Sequence, residues 1–202
     1  MATVAFQRTL YLARHGETEW NRIGRWQGAT DIPLSDVGRA QARLLADRLG
    51  DKRIARVHTS QLSRALETAQ IIAARLGAPA PTADPRLRER GYGAFEGLTR
   101  EECAERFPGA WEQYLADRRA VPPGAEPQAE VTERVTAAMT EIATLAGGQS
   151  GSEAILVVSH GGAIRSFLQA TLGVVAPPVD NGAVFRLRFE GGSFVTAEQL
   201  TP

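Results

Sequence analysis

The amino-acid sequence predicts an α/β protein, a three-layer α/β/α sandwich on a mainly parallel central sheet, and three observations carry that reading. Leu10-Tyr11-Leu12-Ala13 and Ile155-Leu156-Val157-Val158 are nearly continuous apolar runs, as in strands buried on both faces. Segments with helical apolar spacing alternate with short strand-like runs, the pattern of a sheet covered by helices on both sides. A chain of 202 residues suits a single domain over 1–202, long enough to remove about 70% of its unfolded surface from water.

The first apolar run stops at Arg14-His15-Gly16, where charge begins. Glu17 to Asp31 follows as a long polar loop carrying Trp20, Asn21, Arg25, Trp26, Gln27 and Gly28, and loops of that length tend to carry function. Ser35 reads as the N-cap of a helix whose apolar face is Val37, Ala40, Leu44, Leu45 and Leu49, closed by Gly50. Ile54 to His58 reads as a second strand. Ser60 is the expected cap of a second helix with Leu62, Ala65, Leu66, Ala69, Ile72, Ala73 and Leu76 as its buried stripe. Arg64 falls in the first turn of that helix, away from the stripe, where a cation opposes the positive end of the helix dipole. Either an anion compensates it or it is a solvated surface arginine.

Pro79 to Asp84 reads as a short strand, and Leu87 to Gly97 as an irregular segment rich in glycine and charge. Thr99 and Glu102 form a capping box for a short helix to Phe107, and Trp111 to Arg118 reads as another. Val121 to Pro127, with three prolines, is a loop or rim. Glu130 to Leu145 is helical with Val131, Val135, Ala138, Met139 and Ile142 inward, and Gly147 to Gly151 is a loose turn. The strand ending at Ser159 leads through His160-Gly161-Gly162 into a helix over Ala163 to Leu172. Ala183 to Phe189 and Phe194 to Ala197 form a hairpin through Gly191-Gly192.

Acidic and basic residues balance at 23 each, so no global field favours nucleic acid or an anionic membrane, and any anion preference is local. The N-terminal residues lack the pattern of a signal peptide, and no run reaches the length of a membrane span. With one cysteine, Cys103, an intrachain disulfide is excluded, and a cytoplasmic location is expected. Three histidines without clustered Asp or Cys ligands predict no metal site. His58 reads as a packing or capping residue. Cys103, surrounded by Glu101, Glu102 and Glu105, reads as unreactive, and Trp20 and Trp26 as either pocket walls or half-buried core aromatics.

Ligands of open α/β sheets bind beyond the carboxyl ends of the strands, so two strands that both end in His-Gly predict a site at one edge. Two histidines, two arginines and a carboxylate there suit phosphoryl transfer. The planar forks of Arg14 and Arg64 match phosphoryl oxygens, and a neutral imidazole can take the group in line. The second histidine serves as a donor to the oxygens, and Glu89, in a segment able to approach a ligand closely, is the candidate proton donor.

The segment Leu12-Ala13-Arg14-His15-Gly16-Glu17-Thr18-Glu19-Trp20-Asn21 resembles the signature of the histidine phosphatase superfamily, the phosphoglycerate mutase-like family. Further matches follow in the family's order: Pro33-Leu34-Ser35 through Gly38, Thr59-Ser60 through Arg64-Ala65, Glu89 with Tyr92-Gly93, and Ser159-His160-Gly161-Gly162. The resemblance implies that His15 is phosphorylated, that Arg14, Arg64 and His160 hold the phosphate, and that Glu89 is the proton donor. It extends the expected substrate contacts to Asn21, Gln27, Gly28, Tyr92, Arg100, Arg118, Arg119, Gly161 and Gly162, and implies a phosphoglycerate mutase-like fold.

Within the family, Pro122-Pro123-Gly124-Ala125-Glu126 followed by Val131 and Arg134 is similar to the phosphatase branch, which is the expected activity on a small phosphorylated metabolite. The alternative is a phosphoglycerate mutase, for which Glu89-Arg90, Tyr92-Gly93 and the Arg118-Arg119 pair speak. Arg100 and Gly162 stand where mutases usually carry lysine and asparagine. A phosphatase implies no cofactor, whereas a mutase implies a 2,3-bisphosphoglycerate primer. A noncatalytic phosphate-binding module is the third reading, and it has no need of Glu89. No nucleic-acid or membrane partner is expected, and the terminal hairpin leaves an edge on which a homodimer could pair.

Overall fold

The computed structural model describes residues 7–145, 153–174 and 178–200. The turn expected at Gly147 to Gly151 lies outside them. The described chain runs β1 (Gln7–Arg14), α1 (Glu19–Arg22), α2 (Asp36–Arg48), β2 (Ile54–Thr59), α3 (Ser63–Leu76), β3 (Thr82–Ala83), α4 (Arg100–Arg106), α5 (Pro108–Ala116), α6 (Gln128–Leu145), β4 (Ala154–Ser159), α7 (Gly161–Leu172), β5 (Val184–Glu190) and β6 (Ser193–Leu200). Two single 3-10 turns, Pro85–Leu87 and Gly93–Phe95, interrupt the segment before α4.

The strands form one sheet in the order β3-β2-β4-β1-β5-β6. The first four are parallel to their neighbours; β5 and β6 add an antiparallel edge. Side chains alternate across a strand, and the two apolar runs use both faces. Leu10, Leu12, Ile155 and Val157 pack with α6 and α7, while Tyr11, Ala13, Leu156 and Val158 pack with α2 and α3. That places helices on both sides of the sheet, as the sequence predicts. A third apolar cluster, Tyr92, Phe95, Cys103, Trp111 and Tyr114 with Trp26 against it, joins α4 and α5 to the loop after β1.

Several local expectations are corrected. Helix α2 buries Gly38, Ala42, Leu45, Ala46 and Leu49; Val37, Ala40 and Leu44 are exposed, because the helix turns its alanines and Gly38 toward α3 and the β1 loop. Helix α3 starts at Ser63, not after Ser60. Its first turn is capped from a distance by Asp31, whose carboxylate accepts from the Ser63 N–H and hydroxyl, both at 2.8 Å. The long loop after β1 contains α1, closed by a Thr18–Asn21 capping box. Helix α5 begins at Pro108 and ends at Ala116, so Arg118 and Arg119 lie beyond it, and α7 begins at Gly161 rather than Ala163.

Candidate active site

Sheet order builds the site. Strands β1 and β4 are parallel neighbours in a register that opposes Arg14 to Ser159, so the next residues, His15 and His160, leave adjacent strand ends side by side. The His15 N–H donates to the Ser159 carbonyl at 3.0 Å. The two imidazole centroids are 5.0 Å apart, tilted by 58°. His15 Nδ1 lies 2.6 Å from the Gly16 carbonyl. A carbonyl only accepts, so Nδ1 is assigned the proton and Nε2 keeps its lone pair.

The turn holding His15 is pinned on several sides. Asn181 Nδ2 and the Gly182 N–H donate to the His15 carbonyl at 3.1 and 3.3 Å, and the Gly16 N–H donates to Thr68 Oγ1 on α3 at 3.1 Å. Gly16 and Gly38 let two backbones meet: a Cβ on Gly16 would lie 2.3 Å from the Gly38 carbonyl oxygen.

Arg64 is 1% exposed, which overturns the surface reading of that residue. Its two terminal nitrogens donate to the Thr30 and Gly28 carbonyls at 2.9 and 2.8 Å, so the guanidinium is fixed between α3 and the loop after β1. Arg14 donates from Nη1 to the Val179 carbonyl at 2.5 Å. Buried polar atoms in native proteins are nearly always paired. Among the described residues, Arg14 Nε, Arg64 Nε, both ring nitrogens of His160 and Gln27 Oε1 are buried without a hydrogen-bond partner. The two arginine nitrogens and whichever His160 nitrogen carries the proton are the donors an oxyanion requires.

Burial, reinforced by Arg14 and Arg64, holds the His15 imidazole well below its ordinary pKa; burial, Arg64, His15 and Arg14 do the same to His160. Both rings are therefore neutral at pH 7. Burial also lowers Arg64, to about 10, which leaves it cationic.

Glu89 reaches the same edge. Its carboxylate accepts from the Arg90, Gly162 and Ala163 N–H groups at 2.8, 2.9 and 3.0 Å, and so docks on the first turn of α7. A Cβ on Gly162 would lie 2.4 Å from Glu89 Oε1, so glycine lets the carboxylate keep this position and any larger residue requires the Glu89 side chain to move. Behind Glu89, Arg134 donates to the carbonyls of Arg86, Arg88 and Glu89 and to both oxygens of Glu126. Arg88 donates to the same carboxylate.

A cavity of about 880 Å³ opens over these groups, within the range of small-ligand sites. Its lining brings together Arg14, His15, Arg64 and Glu89 with Asn21, Gln27, Gly28, Tyr92, Arg100, Arg118, Gly161 and Gly162. His160, fully buried, stands against the His15 ring. Arg119 does not belong to it: its guanidinium pairs with Asp117 and its side chain is 81% exposed. Trp20 and Trp26 both line the cavity, and the Trp26 ring packs 4.7 Å from Tyr92 and 5.4 Å from Tyr114. His58 is half-buried on β2, away from the cavity, as a packing residue would be.

The sequence reading missed Arg165, Tyr114 and Asn181, and gave Arg134 only as a mark of the phosphatase branch, with no place behind Glu89. Arg165 alone had a visible signal, lying one helical turn after Gly161. The others act through tertiary contacts that no local spacing reveals.

Neutral imidazoles flanked by arginine donors at the carboxyl end of a parallel sheet define a phosphoryl-transfer fold of the histidine type. The family model of the histidine phosphatase superfamily (branch 1) matches residues 10–199, and the chain belongs to that superfamily. It is 40% identical over 163 residues to phosphoglycerate mutase-like protein 4 of Arabidopsis thaliana, covering 79% of this chain and 69% of that protein. Identity to the glucosyl-3-phosphoglycerate phosphatase of Mycolicibacterium vanbaalenii is 38% over 180 residues, covering 88% and 78%. The solved structure of Bacillus stearothermophilus YhfR superposes with a TM-score of 0.84 at 33% identity, covering 93% of this chain and 94% of that one.

Proposed function

We propose that the protein hydrolyses a small phosphomonoester through a phosphohistidine at His15. The observation that carries this reading is the neutral His15, with Nε2 unprotonated, beside the unpartnered Arg14 Nε, Arg64 Nε and His160 nitrogens. In the first step Nε2 attacks phosphorus, a P–N bond forms, and the bond from phosphorus to the ester oxygen breaks. The departing alkoxide takes a proton from the Glu89 carboxyl. In the second step water attacks phosphorus, the P–N bond breaks, the water proton passes to Glu89, and inorganic phosphate leaves with His15 restored.

Arg14, Arg64 and His160 hold the charge on the equatorial oxygens throughout, each such donor supplying about 2.7 to 4 kcal/mol by analogy with oxyanion holes. These residues supply the whole reaction, so we propose no metal or cofactor. A cytoplasmic setting is proposed on the chain's lone cysteine, Cys103, which is buried and whose thiol burial pushes up to about 11.

The hydrolase reading is supported by the M. vanbaalenii relative named for a phosphatase activity. It is supported too by the exposed rim residues Arg22, Ile23, Gly24 and Arg100 around a cavity that water can enter. A mutase is the second reading, favoured by Arg118 in the lining and by the name of the Arabidopsis relative. Arg119, the other half of the pair that reading needs, points elsewhere.

The deciding experiment supplies 3-phosphoglycerate with its bisphosphate primer. The hydrolase reading predicts free phosphate and alcohol, and accumulation of 2-phosphoglycerate instead would establish the mutase. Hydrolysis of p-nitrophenyl phosphate at equal rates by the wild type and His15→Ala would rule out both.

A further inference from the structure

Arg64 is buried without a direct counter-ion: among the described residues its guanidinium bonds only to the Gly28 and Thr30 carbonyls. A cation removed from water and held by neutral carbonyls alone is costly. The turn that carries those carbonyls is gripped from its other side by Glu96, a carboxylate that takes no part in the bond changes. Glu96 Oε1 accepts from the Ala29 and Tyr92 N–H groups at 2.9 and 2.8 Å. Its Oε2 accepts from the Thr30 N–H at 3.0 Å and from the Thr30 hydroxyl. The turn is shaped to admit it: Gly28 has a φ of +57°, and a Cβ there would lie 2.0 Å from Glu96 Oε1.

The Ala29 N–H and the Gly28 carbonyl belong to one peptide group. Glu96 holds the N–H end of that amide and Arg64 the C=O end. An anion on the N–H polarises the amide and makes its oxygen a stronger acceptor for the cation. The arrangement is an ion pair with one peptide inserted between its members. Burial lowers the Arg64 pKa, and the charges of Glu89, Asp31 and Glu96 work against that, Glu96 the least of the three through space. Glu89 is bonded to the α7 amides and Asp31 to Ser63, however, and of the three Glu96 alone accepts from a peptide to which Arg64 donates.

We propose that Glu96 is a positioning residue for phosphoryl transfer, acting through the Gly28–Ala29 peptide to orient Arg64 and compensate its charge. A carboxylate bonded directly to the guanidinium would compete with the phosphoryl oxygens for its donors. Relayed through an amide, the same charge leaves Arg64 Nε unpartnered at the site. This inference rests on the phosphatase reading, which sets Arg64 against the phosphoryl group.

The test is a double-mutant cycle of Glu96→Gln and Arg64→Gln, with orthovanadate as the probe of the phosphoryl site and its affinity measured by calorimetry on all four proteins. Glutamine keeps the size and one acceptor oxygen of Glu96 but not its charge. With Arg64 present, Glu96→Gln is expected to weaken vanadate binding about tenfold and to lower kcat on p-nitrophenyl phosphate by a similar factor. In the Arg64→Gln protein the same change is expected to alter vanadate binding by less than about twofold, because the group it acts through is gone.

A carboxylate that merely held the loop together would give the same loss in both backgrounds, and that result would overturn the proposal. So would a loss below about threefold with Arg64 present, the level of an ordinary exposed charge. If the double variant does not fold, the Arg64 Nε–H proton resonance, identified by its disappearance in Arg64→Gln, decides. It is expected to move and broaden in Glu96→Gln, and an unchanged resonance would overturn the proposal. If p-nitrophenyl phosphate is not hydrolysed at all, the phosphatase reading itself fails. The calorimetric cycle needs no turnover and still decides whether Glu96 acts through Arg64.

Discussion

His15 and His160 are neutral because they are buried beside two arginines, and that has a cost that can be measured. Their folded pKa values lie below the unfolded value of about 6.5, so the unfolded chain binds more protons as the pH drops. Their contribution to stability is complete above about pH 6.5 and drains away below it, at up to about 1.4 kcal/mol per pH unit for each ring. His58, also lowered by burial, adds in the same direction. Calorimetric melting between pH 7 and 5 is expected to show a falling midpoint whose slope is smaller in His15→Gln; equal slopes would contradict the assignment.

Gly162 supplies a second residue-scale prediction. Gly162→Ala forces the Glu89 carboxylate off the α7 amides, and kcat is expected to fall by about 10²-fold or more, the range of a lost general acid. Steady-state kinetics that match the wild type would show that Glu89 is not placed by that contact. His15, Arg14 and His160 were legible in the sequence because each sits at a strand end, and Glu89 because its segment is rich in glycine. Arg64 was legible as an anomaly, a cation in a helix's first turn. Its burial came from the Gly28 and Thr30 carbonyls, more than thirty positions away, which periodicity cannot show.

At the scale of elements, the segment carrying Glu89 has almost no regular structure and is held instead by Glu126 and Arg134. Burial alone would raise the Glu126 pKa, but its bonds from Arg134 and Arg88 prevail and hold it at about 2. Against an unfolded value of about 4.3, its contribution is complete above that pH and is lost as pH falls through about 2. Glu126→Gln is expected to cost about 2 kcal/mol in denaturant unfolding at pH 7 and to flatten the acid limb between pH 4 and 2. An unchanged midpoint would mean that Arg134 holds the carbonyls of residues 86, 88 and 89 without it.

Helix positions were read well from apolar spacing, but faces and caps were not. The burial of Gly38 in α2 depends on its contact with the Gly16 turn, and the cap of α3 comes from Asp31 in a different loop. Arg118 and Arg119 are adjacent in sequence, and only the end of α5 at Ala116 decides that one enters the cavity while the other turns to Asp117.

Over the whole molecule, one pairing makes the site: β1 beside β4, in the register that sets Arg14 opposite Ser159. The two apolar runs made the sheet legible, and their shared His-Gly ending made its functional edge legible. Strand order was not, since nothing local says that the first and fourth strands are neighbours. With β4 between β1 and β2, helices α2 and α3 cover one face and α6 and α7 the other, and the cavity forms at the carboxyl ends between them.

The most direct measurement is detection of a covalent phosphate on His15. Brief mixing with a labelled phosphomonoester, an alkaline quench and peptide mass spectrometry is expected to find the label on the peptide containing residue 15, lost on acid treatment and absent from His15→Ala. Turnover of the same ester with no label at His15, or label retained in acid, would contradict the account.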